Sequence, residues 1–366
     1  MYTLPKVAVS GLDKEVILIQ GGMGAGVSLA PLAGAVADRG GVGTVSFVAL
    51  DRMVSHRLGR KVGQQEAARL ELERARGLAG GRGAIAINLM VLIKKLYALS
   101  VLGAIEGGVD FIMAGAGLPM NLPELTGAAE VGLVPIVSSG KALELICRGW
   151  RRKYNRIPDA VILEGPLAGG HLGFHPDDVP KPEFQLERLF PEVKAVAMEN
   201  GDFPVIVAGG IYSHEDIVRW VKEGADGVQM GTRFAATVES GASDEFKRAI
   251  VASCKEDILV AMNPGSPSGL PFRVIKTSPG YLQALEQGRP LLCDKQYLLH
   301  ERDGKLTCRA LEGHGSFCIC NALLSAVGVN DTDDLPVFTV GAAAWRVDRI
   351  MRVNELIDEL TGIPAC

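Results

Sequence analysis

The chain has 366 residues, with 38 Lys+Arg against 42 Asp+Glu and a net charge of −4. Near-balanced charge excludes a strongly basic nucleic-acid binder and does not suggest an acidic tail. Hydrophobic residues make up 48% and aromatics only 5%, and the 45 glycines exceed ordinary usage, so a soluble α/β enzyme with an aliphatic core is expected.

Apolar runs recur at residues 16–19, 42–48, 84–87, 109–113, 134–137, 160–163, 205–208 and 227–230. They are continuous rather than alternating, as expected of parallel strands covered on both faces. Amphipathic stretches lie between them at 29–39, 64–76, 122–131, 143–152 and 214–222. Ser213 is placed to cap the last of these, with Asp216 three residues on. Eight such units predict an α/β fold of the (β/α)8 TIM-barrel type. A doubly wound open sheet is the competitor, but no dinucleotide fingerprint opens the chain.

From about residue 235 to 334 the pattern loosens around Asn263-Pro264-Gly265 and Ser266-Pro267-Ser268-Gly269. An apolar run at 337–340 and an amphipathic helix at 353–360 follow. The predicted organisation is a barrel of residues 1–234 plus 335–366, carrying a smaller substrate- and cysteine-bearing subdomain at 235–334. The N-terminal residues lack the pattern of a secretory leader, and Lys94, Lys95, Glu106 and Asp110 break the longest apolar stretches. Seven cysteines do not make a disulfide framework in a chain this long. A cytoplasmic protein with reduced thiols is expected, without nucleic-acid or membrane partners and with a homodimer left open.

Active sites of such barrels lie at the C-terminal ends of the strands. After the first run comes Gln20-Gly21-Gly22-Met23-Gly24, where glycines let a ligand approach the backbone, or simply form a tight turn. Asn88 follows the third run, either as a ligand-facing amide or as a turn residue. After the sixth run the chain reads Glu164-Gly165-Pro166-Leu167-Ala168-Gly169-Gly170-His171. His171 is the side chain suited to proton exchange near neutral pH, with a surface histidine as the plainer reading. His175 reads as a surface residue, and neither His56 nor His214 has an evident role. Gly209-Gly210 and Gly231-Thr232 follow the seventh and eighth runs, where these barrels often bind phosphate.

Residues 19–24, 164–173, 207–211 and 229–232 together resemble the nitronate monooxygenase family, formerly the 2-nitropropane dioxygenases. FMN-dependent enoyl-acyl-carrier-protein reductases share that fold and those motifs. The resemblance covers about residues 14–234, Val274-Ile275-Lys276-Thr277 and the last helix. It implies an FMN-binding barrel with Gly22 and Met23 against the isoalloxazine and Asn88 at its polar edge. Gly209, Gly210, Gln229, Gly231 and Thr232 would hold the ribityl phosphate. Glu164, Gly169, Gly170 and Met230 would complete the cofactor wall, and Lys141 would face the flavin. His171 would handle the substrate proton. The implied activity is oxidation of alkyl nitronates with O2. The alternative is NAD(P)H-dependent reduction of an acyl-thioester substrate by an enoyl-acyl-carrier-protein reductase. A non-redox phosphosugar barrel and a ligand-binding regulator remain as other classes.

The predicted subdomain also holds Cys293, Cys308, Cys318 and Cys320, beside His300 and His314. Such clustering suits zinc or an iron–sulfur cluster. The spacing matches neither a zinc ribbon nor a ferredoxin run, so buried thiols are the alternative.

Overall fold

A computed structural model describes residues 7–8, 15–16, 18–286, 295–313, 315–329 and 334–363. Its centre is a closed barrel of eight strands. In chain order these are β1 Ile19–Gln20, β2 Val42–Ser46, β3 Ala84–Met90, β4 Phe111–Gly115, β5 Gly132–Val137, β6 Val161–Glu164, β7 Val205–Ala208 and β8 Gly227–Met230. Every neighbouring pair is parallel. The ring closes where β8 pairs with β1 through Gln229 and Ile19. The chain therefore adopts the TIM-barrel fold rather than the open sheet.

Alternation along the strands explains why the runs read as continuously apolar. Ala84, Ala86, Phe111, Met113, Ile162 and Ile206 fill the lumen, large against small. Their neighbours Ile85, Ile87, Ile112, Leu163 and Val207 point outward against the helices. Both faces are dry, so no polar alternation survives. The lumen is packed, and open space is left only beyond the strand ends.

The helical layer follows from the same strand-to-helix rhythm. The helix Ala30–Asp38 has no side-chain cap of its own. Its Ala30 N–H instead donates to the fully buried Glu71 Oε1 at 2.8 Å, from the helix Gln64–Leu78. Glu71 also accepts from Arg57, which compensates its charge. The helix His214–Lys222 carries the expected capping box, with Ser213 and Asp216 bonded to each other's backbone. No helix among the described residues is long and apolar enough to cross a membrane.

After β8 the chain leaves the barrel. Helix Asp244–Ala252 leads to an antiparallel pair, Ile258–Ala261 with Phe272–Ile275. The pair is joined by a third strand from a distant part of the chain, Gly170–His171. An exposed hairpin, His300–Arg302 with Lys305–Thr307, follows. The final helix Val353–Thr361 returns to the barrel, burying Val353, Leu356, Ile357 and Leu360 beside the helices Ala30–Asp38 and His214–Lys222.

Candidate active site at the barrel mouth

A cavity of about 680 Å³ opens over the C-terminal strand ends. Ligand pockets commonly measure about 300–1,000 Å³. All eight strands or the turns directly after them contribute to its wall. Gly22, Met23, Asn88, Glu164, Gly169, Gly170, His171, Gly209, Gly210, Gln229, Met230, Gly231 and Thr232 all line it.

Gly22 is held to glycine by proximity. A Cβ there would sit 2.2 Å from Asn88 Cβ. The turn above β1 is fixed by Ser28, which accepts from the Met23 N–H at 3.0 Å and from Gln20 Nε2 at 2.9 Å. Gln20 is fully buried, and its Oε1 accepts the Thr44 N–H at 2.9 Å, tying β1 to β2. Ser46 lies opposite Asn88 in the β2–β3 register. Its buried hydroxyl has no hydrogen-bond partner among the described residues, the Asn88 side chain makes none there either, and both residues line the cavity. Two unspent polar groups therefore sit side by side at the cavity wall.

Across the mouth, Gly209 and Gly210 have φ of 100° and 81°. That left-handed backbone favours glycine and turns the β7 loop against the β6 loop. Thr232 Oγ1 accepts the Gly341 N–H at 2.8 Å, so the segment after the predicted subdomain returns to the β8 end. Arg233, next in sequence, is buried and ion-paired with Glu359 of the final helix at 2.8 Å. Its guanidinium stacks over Tyr212 at 4.4 Å.

His171 sits on the short strand beyond β6, directly opposite Phe272 in register. The two rings are 4.6 Å apart. His171 Nε2 is 2.6 Å from Ser266 Oγ. Burial pushes the imidazole down to about 4, so it is neutral at physiological pH. Burial pushes the Glu164 carboxyl the other way, up to about 7. Arg273 lies beneath this loop and donates to the Ala168 carbonyl. Burial lowers its guanidinium to about 10.

Lys141 departs from expectation. It is exposed in the first turn of the helix Gly140–Tyr154 and does not line the cavity, although Ser138 and Ala142 do. Ser139 caps that helix, with the Ala142 N–H donating to its hydroxyl. One residue of helical rotation, about 100°, then carries Lys141 outward.

Cys308, Cys318 and Cys320 converge on a small pocket with Tyr297 and Leu298, and Cys320 also reaches the main cavity. Cys293 and His314 lie outside the described residues. No group of three or more His, Cys, Asp or Glu among the described residues is arranged to hold a metal ion. His300 is on the exposed hairpin, 3.7 Å from Glu312.

Residues that sequence reasoning did not single out include Gln20, Ser28, Ser46, Tyr212, Arg233, Ser266 and Arg273. Position at a strand end could have signalled Ser46 and Gln20, which opens the glycine run after the first strand, and nothing local marks the others.

The nitronate monooxygenase model matches residues 72–362. The chain belongs to the nitronate monooxygenase family. Membership places it among oxidoreductases. It is 31% identical over 150 residues to the (3aS,4S,5R,7aS)-5-hydroxy-7a-methyl-1-oxo-octahydro-1H-indene-4-carboxyl-CoA dehydrogenase of Rhodococcus jostii, covering 41% of this chain and 36% of that one. It is 38% identical over 104 residues to a probable nitronate monooxygenase of Staphylococcus saprophyticus, covering 28% of each. These matches thus span about a third of the relatives' length. The structure of FabK from Thermotoga maritima superposes with a TM-score of 0.69 at 23% identity, over 96% of this chain and 94% of that one. At that identity the likeness concerns the fold.

Proposed function

We propose that this protein is an FMN-dependent nitronate monooxygenase that oxidises alkyl nitronates with dioxygen. The observation that carries the reading is the cavity itself: glycine-lined turns on two sides, a pair of unspent polar groups and one neutral histidine share its wall. The donor set fits FMN. Gly22 and Met23 would lie against the ring system, and Asn88 would offer hydrogen bonds to its polar edge. Gly209, Gly210, Gln229, Gly231 and Thr232 would hold the ribityl phosphate, with freed backbone N–H groups and a hydroxyl. Glu164, Gly169, Gly170 and Met230 close the seat. When bound, FMN supplies the electron transfer between substrate and dioxygen.

The remaining chemistry belongs to the side chains. A nitronate arrives already deprotonated and needs only to be oriented and shielded from water. A neutral nitroalkane must first lose its α-proton, and His171 is the base for it. A second reading, NAD(P)H-dependent reduction of an enoyl thioester, is favoured by the apolar side of the cavity, where Leu92, Ile93, Leu118, Leu298 and Leu323 suit an acyl chain.

Anaerobic absorption spectra of the flavin-loaded protein separate these readings. Bleaching of the flavin bands by ethyl nitronate but not by NADH or NADPH is the expected result. Bleaching by a nicotinamide alone would favour the reductase. Failure to acquire flavin bands after incubation with FMN would overturn both.

A further inference from the structure

Ser266 is 2% exposed and sits in a turn that the rest of the chain holds in place. The Gly269 N–H donates to its carbonyl at 3.0 Å, and the Ser316 hydroxyl donates to the same carbonyl at 3.3 Å. The preceding Gly265 exchanges backbone hydrogen bonds with Gly315 and Phe317. The turn therefore presents one hydroxyl at a fixed place.

That hydroxyl has three neighbours. The Ser268 N–H donates to it at 3.2 Å and uses one lone pair. One proton and one lone pair remain for His171 Nε2 at 2.6 Å and Ser268 Oγ at 2.9 Å. Ser268 Oγ accepts the Leu270 N–H at 3.2 Å, and Ser268 lines the cavity. Only two arrangements satisfy this count. In one, the Nε2 proton points to Ser266, Ser266 donates to Ser268, and the Ser268 proton is free to face the cavity. In the other, every proton is reversed: Ser268 donates to Ser266 and Ser266 donates to Nε2. Nδ1 makes no hydrogen bond among the described residues, so it is the ring nitrogen open to substrate.

We propose that His171, Ser266 and Ser268 form a proton relay, in which Nδ1 takes a proton from the substrate carbon while the Nε2 proton passes to Ser266, the Ser266 proton to Ser268, and the Ser268 proton to water in the cavity. The C–H electron pair stays on the substrate, and one proton enters as one leaves. The imidazole exchanges one neutral tautomer for the other and never becomes a cation. Such a route suits a ring whose burial disfavours the imidazolium. Ser266 and Ser268 are thus positioning residues acting through His171. The inference rests on the proposed role of His171 as base.

The test compares nitroethane, which must be deprotonated, with ethyl nitronate, which need not be, on the flavin-loaded enzyme. S266A and S268A should lower kcat with nitroethane by about tenfold or more, a share of what general-base catalysis supplies, and lower nitronate turnover far less. S266T, which keeps the hydroxyl, should restore nitroethane turnover. In ¹⁵N-histidine spectra, with the His171 pair assigned by its loss in H171N, S266A should shift the Nε2 resonance, because that nitrogen loses its hydrogen-bond partner. S268A should keep the Nε2 hydrogen bond. Equal losses on both substrates, or His171 shifts indifferent to S266A, would overturn the relay. If the unaltered enzyme oxidises neither compound, the functional reading fails, and the spectra alone decide the Ser266–His171 bond.

Discussion

Glu164 and His171 share one cavity wall, and burial moves their protonation in opposite directions. The pair separates into a carboxyl that holds its proton to about pH 7 and an imidazole that stays neutral down to about pH 4. The consequence for stability has a definite sign. The raised Glu164 pKa contributes stability that is fully present below the ordinary carboxyl range and is lost as pH rises through about 7. E164Q should therefore raise the thermal midpoint of the flavin-free protein at pH 8 and leave it unchanged at pH 4. A midpoint gain that is equal at both values would refute the assignment. H171N should lower kcat/KM with nitroethane by about 10²–10⁴-fold, the usual loss for a general base, and lower it less with ethyl nitronate. At this scale the sequence is legible where residues come in runs. The Ala168-Gly169-Gly170-His171 and Gly209-Gly210 segments stand out because several unusual residues fall at one strand end. Ser46 and Ser266 do not, because a single serine carries no pattern and its meaning arises from a partner 42 residues away at Asn88 or 95 away at His171.

The element scale shows the same division between local and distant causes. The strands at 205–208 and 227–230 lie where their apolar runs place them, and the Ser213–Asp216 capping box forms as its spacing implies. Elsewhere the boundaries move. The first run is read at 16–19, whereas the barrel strand is Ile19–Gln20, because Gln20 is spent on β2 rather than on solvent. The stretch at 122–131 ends as a helix at Thr126, where Gly127 turns away with a φ of 54°. Lys94–Glu106 has apolar residues around most of its circumference and so lacks a clear stripe. The cap of Ala30–Asp38 is beyond any local reading, since the acceptor Glu71 comes from another helix. E71A should remove that acceptor and the partner of Arg57, at a cost of about 2 kcal/mol, within the range for hydrogen bonds to charged groups. Urea unfolding should show a lower midpoint with an unchanged slope. An unaltered midpoint would mean that water replaces the carboxylate at no cost.

At the scale of the whole molecule, barrel and site are held together by segments far from the motifs. The final helix Val353–Thr361 buries four aliphatic side chains on the barrel's outer layer and delivers Glu359 to Arg233 at the cavity wall. Truncation before Val353 should leave that layer uncovered and yield protein that binds a hydrophobic dye and melts without cooperativity. A truncated chain that melts as sharply as the full one would show the helix to be dispensable. The eightfold repeat is legible because each unit repeats one local rule. The closing contacts are not, since they join opposite ends of the chain. The short strand Gly170–His171, hydrogen-bonded to Phe272–Ile275, has one more consequence. An engineer who exchanges residues 258–275 as a cassette, seeking a new substrate preference, also exchanges the template on which His171 is laid. Part of the cavity wall and the proposed base are carried here on one piece of sheet, and any graft must bring a strand of matching register with it.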